Sequence, residues 1–271
     1  MITSPFGRRI LLGLCFAAIA TVSFGQAQQQ TKPFEPQVGQ AGKDVVWVPT
    51  PQSLVDKMLD ISKTTPQDYL MDLGSGDGRT VITAAKRGTT AMGIEYNPDM
   101  VDLSKRNATK EGVTAKATFV KADLFETDFS KATVITMFLL PDINLKLRPK
   151  ILDLKPGTRI VSNTFTMDDW KADETASVTD NCTTWCTALL WIVPAKVAGT
   201  WKLPQGELKL TQTYQELSGT LNNVAITGAK MRGDEINFTA GNAQYTGHVA
   251  GNVITGTMKS GATSNSWRAT R

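Results

Sequence analysis

The sequence predicts an α/β domain on a mostly parallel sheet, followed by a smaller antiparallel all-β domain. Three observations predict it. Between residues 44 and 195, short apolar runs alternate with amphipathic helical segments. A glycine-rich turn of the form G-x-G-x-G joins the first run to a helix. After residue 195 the helical spacing stops, and short alternating segments separated by turn pairs take over.

The first segment reads as an address. Arg8 and Arg9 precede an apolar run over residues 10–24, and small residues follow. A basic start, a short apolar stretch and a small-residue exit predict a secretory signal over residues 1–27. The run is short for a membrane span, which needs ~20 apolar residues, so an uncleaved anchor is the second choice. The expectation is an exported protein of the periplasm or cell envelope, in touch with a membrane only through this signal. Residues 28–43, rich in Gln, Pro and Gly, read as a flexible leader.

The α/β domain is assigned to residues 44–195. Thr50-Pro51 caps its first helix, with Leu54, Met58 and Ile61 on one face. Tyr69–Leu73 is a short apolar strand, and residues 78–86 form a helix closed by Gly88. Residues 90–96 are the second strand. Asn97-Pro98-Asp99 opens the next helix as cap, N1 proline and acidic first turn, and Gly112 ends it. Strands over 117–122 and 134–140, a helix over 144–154 and a strand at Arg159–Asn163 follow. A closing hairpin of 176–178 with 187–193 makes seven strands.

The second domain is assigned to residues 196–271. Turn pairs recur at Asn222-Asn223, Gly233-Asp234, Gly241-Asn242 and Gly251-Asn252. Ser218-Gly219, Thr227-Gly228, Thr246-Gly247 and Thr255-Gly256 form a small repeat. This pattern predicts a β-meander closing into a small barrel or sandwich, with Trp201 and Trp267 at its ends.

Composition narrows the chemistry. The 271 residues carry 29 basic and 25 acidic side chains, a net +4, too mild for an electrostatic nucleic-acid surface. The chain has one histidine and three cysteines, so no metal site is expected. His248 lies in the β-rich tail and reads as a solvent-facing strand residue. Without residues 1–27 the charge is +2, and Cys182 and Cys186 remain as a pair. In an exported chain that pair reads as a disulfide; two free thiols at a hairpin tip is the other reading.

The first strand runs into Asp72-Leu73-Gly74-Ser75-Gly76-Asp77-Gly78-Arg79. Such a turn lets a ligand approach the backbone closely. It is not the dinucleotide fingerprint, because Arg79 stands where the third glycine is required. Asp72 and Asp77 would repel a pyrophosphate and suit a cationic amino-acid ligand. Glu95 ends the second strand, where a carboxylate can accept both ribose hydroxyls. Asp123 ends the third and can accept an amino proton from a purine. Three acids at the carboxyl ends of three strands form one ligand footprint.

These residues resemble class I S-adenosylmethionine-dependent methyltransferases. Residues 72–78 match the first motif of that family, Glu95 its ribose acid, and Asp123-Leu124 its adenine acid. The resemblance covers residues 44–194. It implies a Rossmann-like seven-stranded sheet with helices on both faces. It also implies S-adenosylmethionine as cofactor, held by Asp72, Gly74, Ser75, Gly76, Gly78, Glu95, Tyr96, Asp123 and Leu124. More narrowly, Val48-Pro49-Thr50-Pro51, residues 72–79 and Leu139-Leu140-Pro141 resemble small lysine methyltransferases that modify mitochondrial carrier and ATP synthase c-subunit proteins.

The narrower resemblance implies a protein-lysine acceptor near the end of strand four, at Phe138, Pro141, Asp142 and Asn144. Trp47, Pro49 and Thr50 would form a lid. Trp47 and Phe138 read as channel walls or as core packing. Asp142 and Asn144 read as groups orienting an amine or as helix N-cap groups; no residue reads as a general base. Methyl transfer from a sulfonium is an in-line displacement that needs alignment more than acid–base machinery, which suits a chain with one histidine. The Asn/Asp-Pro-Pro-aromatic signature of base-modifying enzymes is absent, so a protein or small-molecule acceptor is expected and no nucleic acid. The alternatives are an exported non-enzymatic binding protein retaining this fold, and a small-molecule or lipid methyltransferase.

Overall fold

The computed structural model of the protein describes residues 33–204 and 206–271. The expected signal and the first part of the leader lie outside the described residues. The next part of the leader is a small hairpin. The Gly39 N–H donates to the Trp47 carbonyl at 2.8 Å, the Trp47 N–H donates to the Gln40 carbonyl at 2.9 Å, and Ala41 bridges Val46. Residues 39–43 therefore belong with the folded domain, because the apolar Val45 packs them onto its core.

The sheet contains β1 (Tyr69–Leu73), β2 (Thr90–Glu95), β3 (Ala117–Lys121), β4 (Val134–Met137), β5 (Arg159–Asn163), β6 (Glu174–Ser177) and β7 (Thr187–Ile192). Their order is β3-β2-β1-β4-β5-β7-β6, with β7 antiparallel to both of its neighbours. Four helices cover it: α1 (Gln52–Ile61), α2 (Arg79–Lys86), α3 (Pro98–Lys110) and α4 (Pro141–Leu152). Alternation along β1 explains the two-sided core. Leu70 faces Val55, Val81 and Val101 of α1, α2 and α3, whereas Met71 and Leu73 face Ile143, Leu147 and Ile151 of α4. The chain leaves β1 toward β2 and β3, then returns to β4 on its other side. That reversal opens a crevice at the carboxyl ends of β1 and β4.

Several boundaries differ from the expected ones: β6 runs over Glu174–Ser177 instead of 176–178, α4 ends at Leu152 instead of 154, β7 at Ile192 instead of 193, and the other differences fall at this crevice. β4 stops at Met137 instead of continuing to residue 140, and β2 and β3 each stop one residue early. Backbone that leaves the ladder there is free to line a ligand. α4 starts at Pro141, three residues before the expected start, because proline is pre-set for the first helical position. Gly78 precedes α2 as its cap, with φ +83°.

The tail is a closed antiparallel barrel of β8 (Gly199–Leu203), β9 (Gly206–Thr213), β10 (Glu216–Leu221), β11 (Val224–Arg232), β12 (Glu235–Ala240), β13 (Ala243–Ala250), β14 (Val253–Ser260) and β15 (Thr263–Thr270). The recurring turn pairs sit at its hairpins, and Asn222 and Asn223 both take positive φ as a tight β-turn requires. Phe238 stacks on Tyr245 at 4.7 Å, with the Trp267 ring edge-on to both. One of the repeat glycines makes room for this cluster: a Cβ on Gly247 would lie 2.9 Å from the Trp267 ring. Trp201 is fully buried in the same core, and Trp267 is buried with it. His248 is exposed on β13, 3.6 Å from Asp234.

The barrel meets the sheet along a seam. Tyr214 stacks on Trp170 at 5.8 Å and donates to Asp169 at 3.0 Å. The Gln215 side-chain amide donates to the Lys171 carbonyl at 2.7 Å, and the Ala195 N–H donates to the Gly233 carbonyl at 2.8 Å.

Candidate active site

A cavity of about 520 Å³ opens in the crevice. Its walls bring together residues 40–50, the motif Asp72 to Arg79, the ends of β2 and β3, and the loops after β4 and β5. Among the expected cofactor residues, Asp72, Gly74, Ser75, Gly76, Glu95, Tyr96, Asp123 and Leu124 line it; Gly78 lies behind the wall and packs against Phe119.

The glycines are required by shape. Gly76 has φ +55°, and a Cβ there would come within 2.7 Å of the Trp47 indole nitrogen. Glu95 fixes this loop from the next strand: one carboxylate oxygen accepts the Gly76 N–H at 2.9 Å, the other the Asn97 N–H at 2.9 Å. Arg79, which sequence reasoning noted only for breaking a fingerprint, pairs with Asp77 at 2.6 Å and donates to the Thr50 carbonyl at 2.7 Å. Asp77 is thereby paired with a cation, and the motif is tied to the start of α1.

Asp72 is different. It is buried and accepts one hydrogen bond, from the Thr136 hydroxyl at 2.6 Å. Burial pushes its carboxyl up to about 7; the Thr136 bond opposes this, and the nearby Asp77 and Glu95 charges add to it. Among the described residues no cation pairs with this buried carboxyl, which leaves it available to a cationic ligand. The Ser75 hydroxyl beside it is buried without a hydrogen-bond partner. These features fit an aminoacyl sulfonium with its α-ammonium near Asp72.

Asp123 sits at the far end of the cavity. Its carboxylate accepts from Lys43 at 2.5 Å and from the Phe125 N–H at 2.9 Å, and the lysine holds its carboxyl below the usual carboxylate range. The Lys43 ammonium also lies over the Tyr96 ring, 4.8 Å from its centroid. Lys43 has no motif around it and was missed.

The acceptor candidates divide. Phe138 lines the cavity, whereas Pro141, Asp142 and Asn144 do not. The early start of α4 puts Pro141 in its first turn and leaves Asp142 exposed. Asn144 is fully buried and donates to the carbonyls of Phe165 and Thr166 at 3.2 and 3.1 Å, so it is neither a helix cap nor a cavity group. Trp47, Pro49 and Thr50 also line the cavity, and the Thr50 hydroxyl accepts from Asn163 at 3.3 Å. Cys182 and Cys186 are joined by a disulfide. Two cavity residues, Phe165 and Trp185, were missed; their signal is an aromatic just outside a strand end.

The chain from residue 72 to 174 matches the family model of the ANTKMT methyltransferase domain. A protein-lysine N-methyltransferase of Saccharolobus islandicus is 46% identical over 139 residues, half of this chain and 86% of that relative. The chain belongs to this family of S-adenosylmethionine-dependent methyltransferases. As a family member it carries the fold, the enzyme class and the cofactor that the motif implied. A human lysine N-methyltransferase named for the ATP synthase c-subunit is 40% identical over 105 residues, which span 38% of this chain and 45% of that relative. A solved RNA methyltransferase of Salinibacter ruber, in complex with S-adenosyl-L-homocysteine, is 43% identical with a TM-score of 0.52; the match covers 55% of this chain and 96% of that one. The barrel lies outside the family-model match.

Proposed function

We propose that this methyltransferase acts on the ε-amino group of a protein lysine. The observation that carries the reading is the wall opposite the acidic footprint. Phe138, Leu140, Phe165 and Trp185 make that side of the cavity apolar and aromatic. A lysine amine attacks only when neutral, and an apolar wall lowers its pKa by penalising the ammonium. Relatives named for lysine methylation, at 46% and 40% identity, support the same acceptor.

S-adenosylmethionine supplies an activated methyl group on its sulfonium. The residues of the chain bind and orient. Asp72 holds the cationic end of the donor, the Gly74–Gly76 backbone admits it closely, and Glu95 and Asp123 face the rest. Alignment of this kind is worth up to about 7–11 kcal/mol, with no enzyme nucleophile.

A second reading has one observation in its favour, the name of the Salinibacter ruber structure. It would make RNA the acceptor. The loop Phe138-Leu139-Leu140-Pro141 and the mild net charge favour the lysine. Purified enzyme, tritiated S-adenosylmethionine and either envelope protein or total RNA separate them. Label recovered as methyl-lysine after acid hydrolysis is expected. Label confined to RNA, or to extractable lipid or small molecules, would refute the lysine reading.

We also propose that the mature protein works outside the cytoplasm. The basic and apolar start of the chain and the Cys182–Cys186 bond support this, since disulfides persist in oxidising compartments. Fractionation with N-terminal sequencing tests it; a cytosolic protein beginning at Met1 would overturn it.

A further inference from the structure

We propose that Trp185 is an acceptor-binding residue, completing a three-ring cage with Phe138 and Phe165, and that the Cys182–Cys186 disulfide holds it in place. The proposal rests on the amine-acceptor reading above and goes beyond it in naming the device.

The rings come from three separate loops. Phe138 follows β4, Phe165 follows β5, and Trp185 precedes β7. Because β7 runs antiparallel, the residues before it return to the edge where β4 and β5 end. Phe138 stacks on Phe165 at 5.8 Å and 21°, and Trp185 meets Phe138 at 5.9 Å and 61°. All three line the cavity that holds the Asp72 motif.

Trp185 is 41% exposed, which is costly for an indole that packs on one ring edge. It also has φ +55°, a conformation a bulky residue rarely takes. The disulfide spans it, closing a short loop around Thr183, Thr184 and Trp185. That loop is tied down on both sides: the Val178 N–H donates to the Cys186 carbonyl at 2.9 Å, and the Ser53 hydroxyl on α1 donates to the Asp180 carbonyl at 2.8 Å. Phe165 is fixed in turn by Asn144 and by the Ser162 hydroxyl, 2.8 Å from its carbonyl. An exposed, strained tryptophan over-determined by its surroundings is what a ligand clamp looks like.

The chemistry gives the cage a task. As the methyl group moves, positive charge passes from sulfur to the acceptor nitrogen. A primary ammonium is strongly hydrated and loses more by entering the cage than the ring faces return, whereas the methylated nitrogen that forms in the transfer is weakly hydrated and is attracted by them more than the neutral amine. The cage therefore favours the transition state over the bound substrate, which raises kcat.

The test compares wild type, Trp185→Ala, Trp185→Phe, the double variant Cys182→Ser with Cys186→Ser, and wild type treated with dithiothreitol. The dithiol gives two electrons and two protons to the disulfide, yielding two thiols and a cyclic disulfide of the reagent. Affinity for S-adenosylhomocysteine is read by calorimetry and is expected within twofold throughout. For the labelled acceptor, kcat/KM is expected to fall about tenfold in Trp185→Ala, mainly in kcat. Recovery to within threefold is expected in Trp185→Phe, and a loss of threefold or more in the double variant and on reduction. Nα-acetyl-trimethyllysine amide, titrated into the S-adenosylhomocysteine complex, is expected to bind Trp185→Ala at least fivefold more weakly than wild type. Equal kcat/KM and equal binding in Trp185→Ala overturn the cage; an unchanged double variant overturns the role of the disulfide. If label appears on a small amine and no protein lysine, the lysine reading fails while the Trp185 ratio on that amine still decides the cage.

Discussion

The half of the cavity built on β1, β2 and β3 is acidic, and much of it is main chain. The half built on β4, β5 and β7 is apolar and aromatic. Asp72, Glu95 and Asp123 occupy the first. Phe138, Phe165 and Trp185 occupy the second. The division follows the charges of the reaction: a cationic donor needs fixed anions, and an amine acceptor needs a dry place to be neutral. It also follows the topology, since the crevice between β1 and β4 is where the two groups of strands part.

The hardest blow to this contrast is aimed at the acidic half. Asp72→Ala removes the buried carboxyl of the wall, and affinity for S-adenosylhomocysteine should fall at least about 100-fold by calorimetry. Phe165→Ala should leave that affinity within about twofold and lower methyl transfer about tenfold. If both variants weaken cofactor binding alike, the cavity has no two halves.

The acidic half carries a pH dependence that the aromatic half lacks. Folded Asp72 titrates near 7, against 3.8 for an ordinary aspartate. Between those values the folded chain holds a proton that the unfolded chain has lost. The free protein therefore loses stability as pH rises through this window, with the full loss, on the order of 4 kcal/mol, present above pH 7. A cationic ligand favours the ionised carboxylate, so its affinity should move the opposite way, falling up to about tenfold per unit below pH 7. Calorimetry from pH 5.5 to 8 checks the second trend. Thermal unfolding of Asp72→Asn, expected to show a flatter profile over the same range, checks the first. A pH-independent affinity would mean that Asp72 is ionised without the ligand.

The same contrast explains what could be read in the sequence. The acidic half was legible because its parts lie at fixed short distances: a glycine turn directly after an apolar strand, and an acid at the end of each next strand. The seven strands and the β tail were legible from periodicity and turn pairs. The aromatic half was legible only at Phe138, which abuts a strand. Phe165 and Trp185 join it through the antiparallel return of β7, and no local pattern encodes a strand's direction. Pro141, Asp142 and Asn144 were placed by proximity to strand four, but the helix starts at Pro141 and turns them away. Lys43 reaches Asp123 from 80 residues away, and a leader rich in Gln, Pro and Gly gave no sign of it.

The smallest expected effect is at the seam between sheet and barrel. Tyr214 reaches Asp169 through its hydroxyl and covers Trp170 with its ring. Asp169 is largely exposed, so water replaces the lost bond readily and Tyr214→Phe should cost about 0.5–1 kcal/mol. That corresponds to a fall in Tm of about 1–4 °C, read by thermal unfolding. Tyr214→Ala also uncovers Trp170 and should cost several times more. Among the described residues no barrel residue lines the cavity, so neither variant should change cofactor affinity or kcat beyond twofold. A loss of kcat in Tyr214→Phe, with the fold intact, would mean that the barrel acts on the aromatic half through Trp170 and the loop after β5. The contrast would then lie between a cofactor half that stands alone and an acceptor half that needs the barrel behind it.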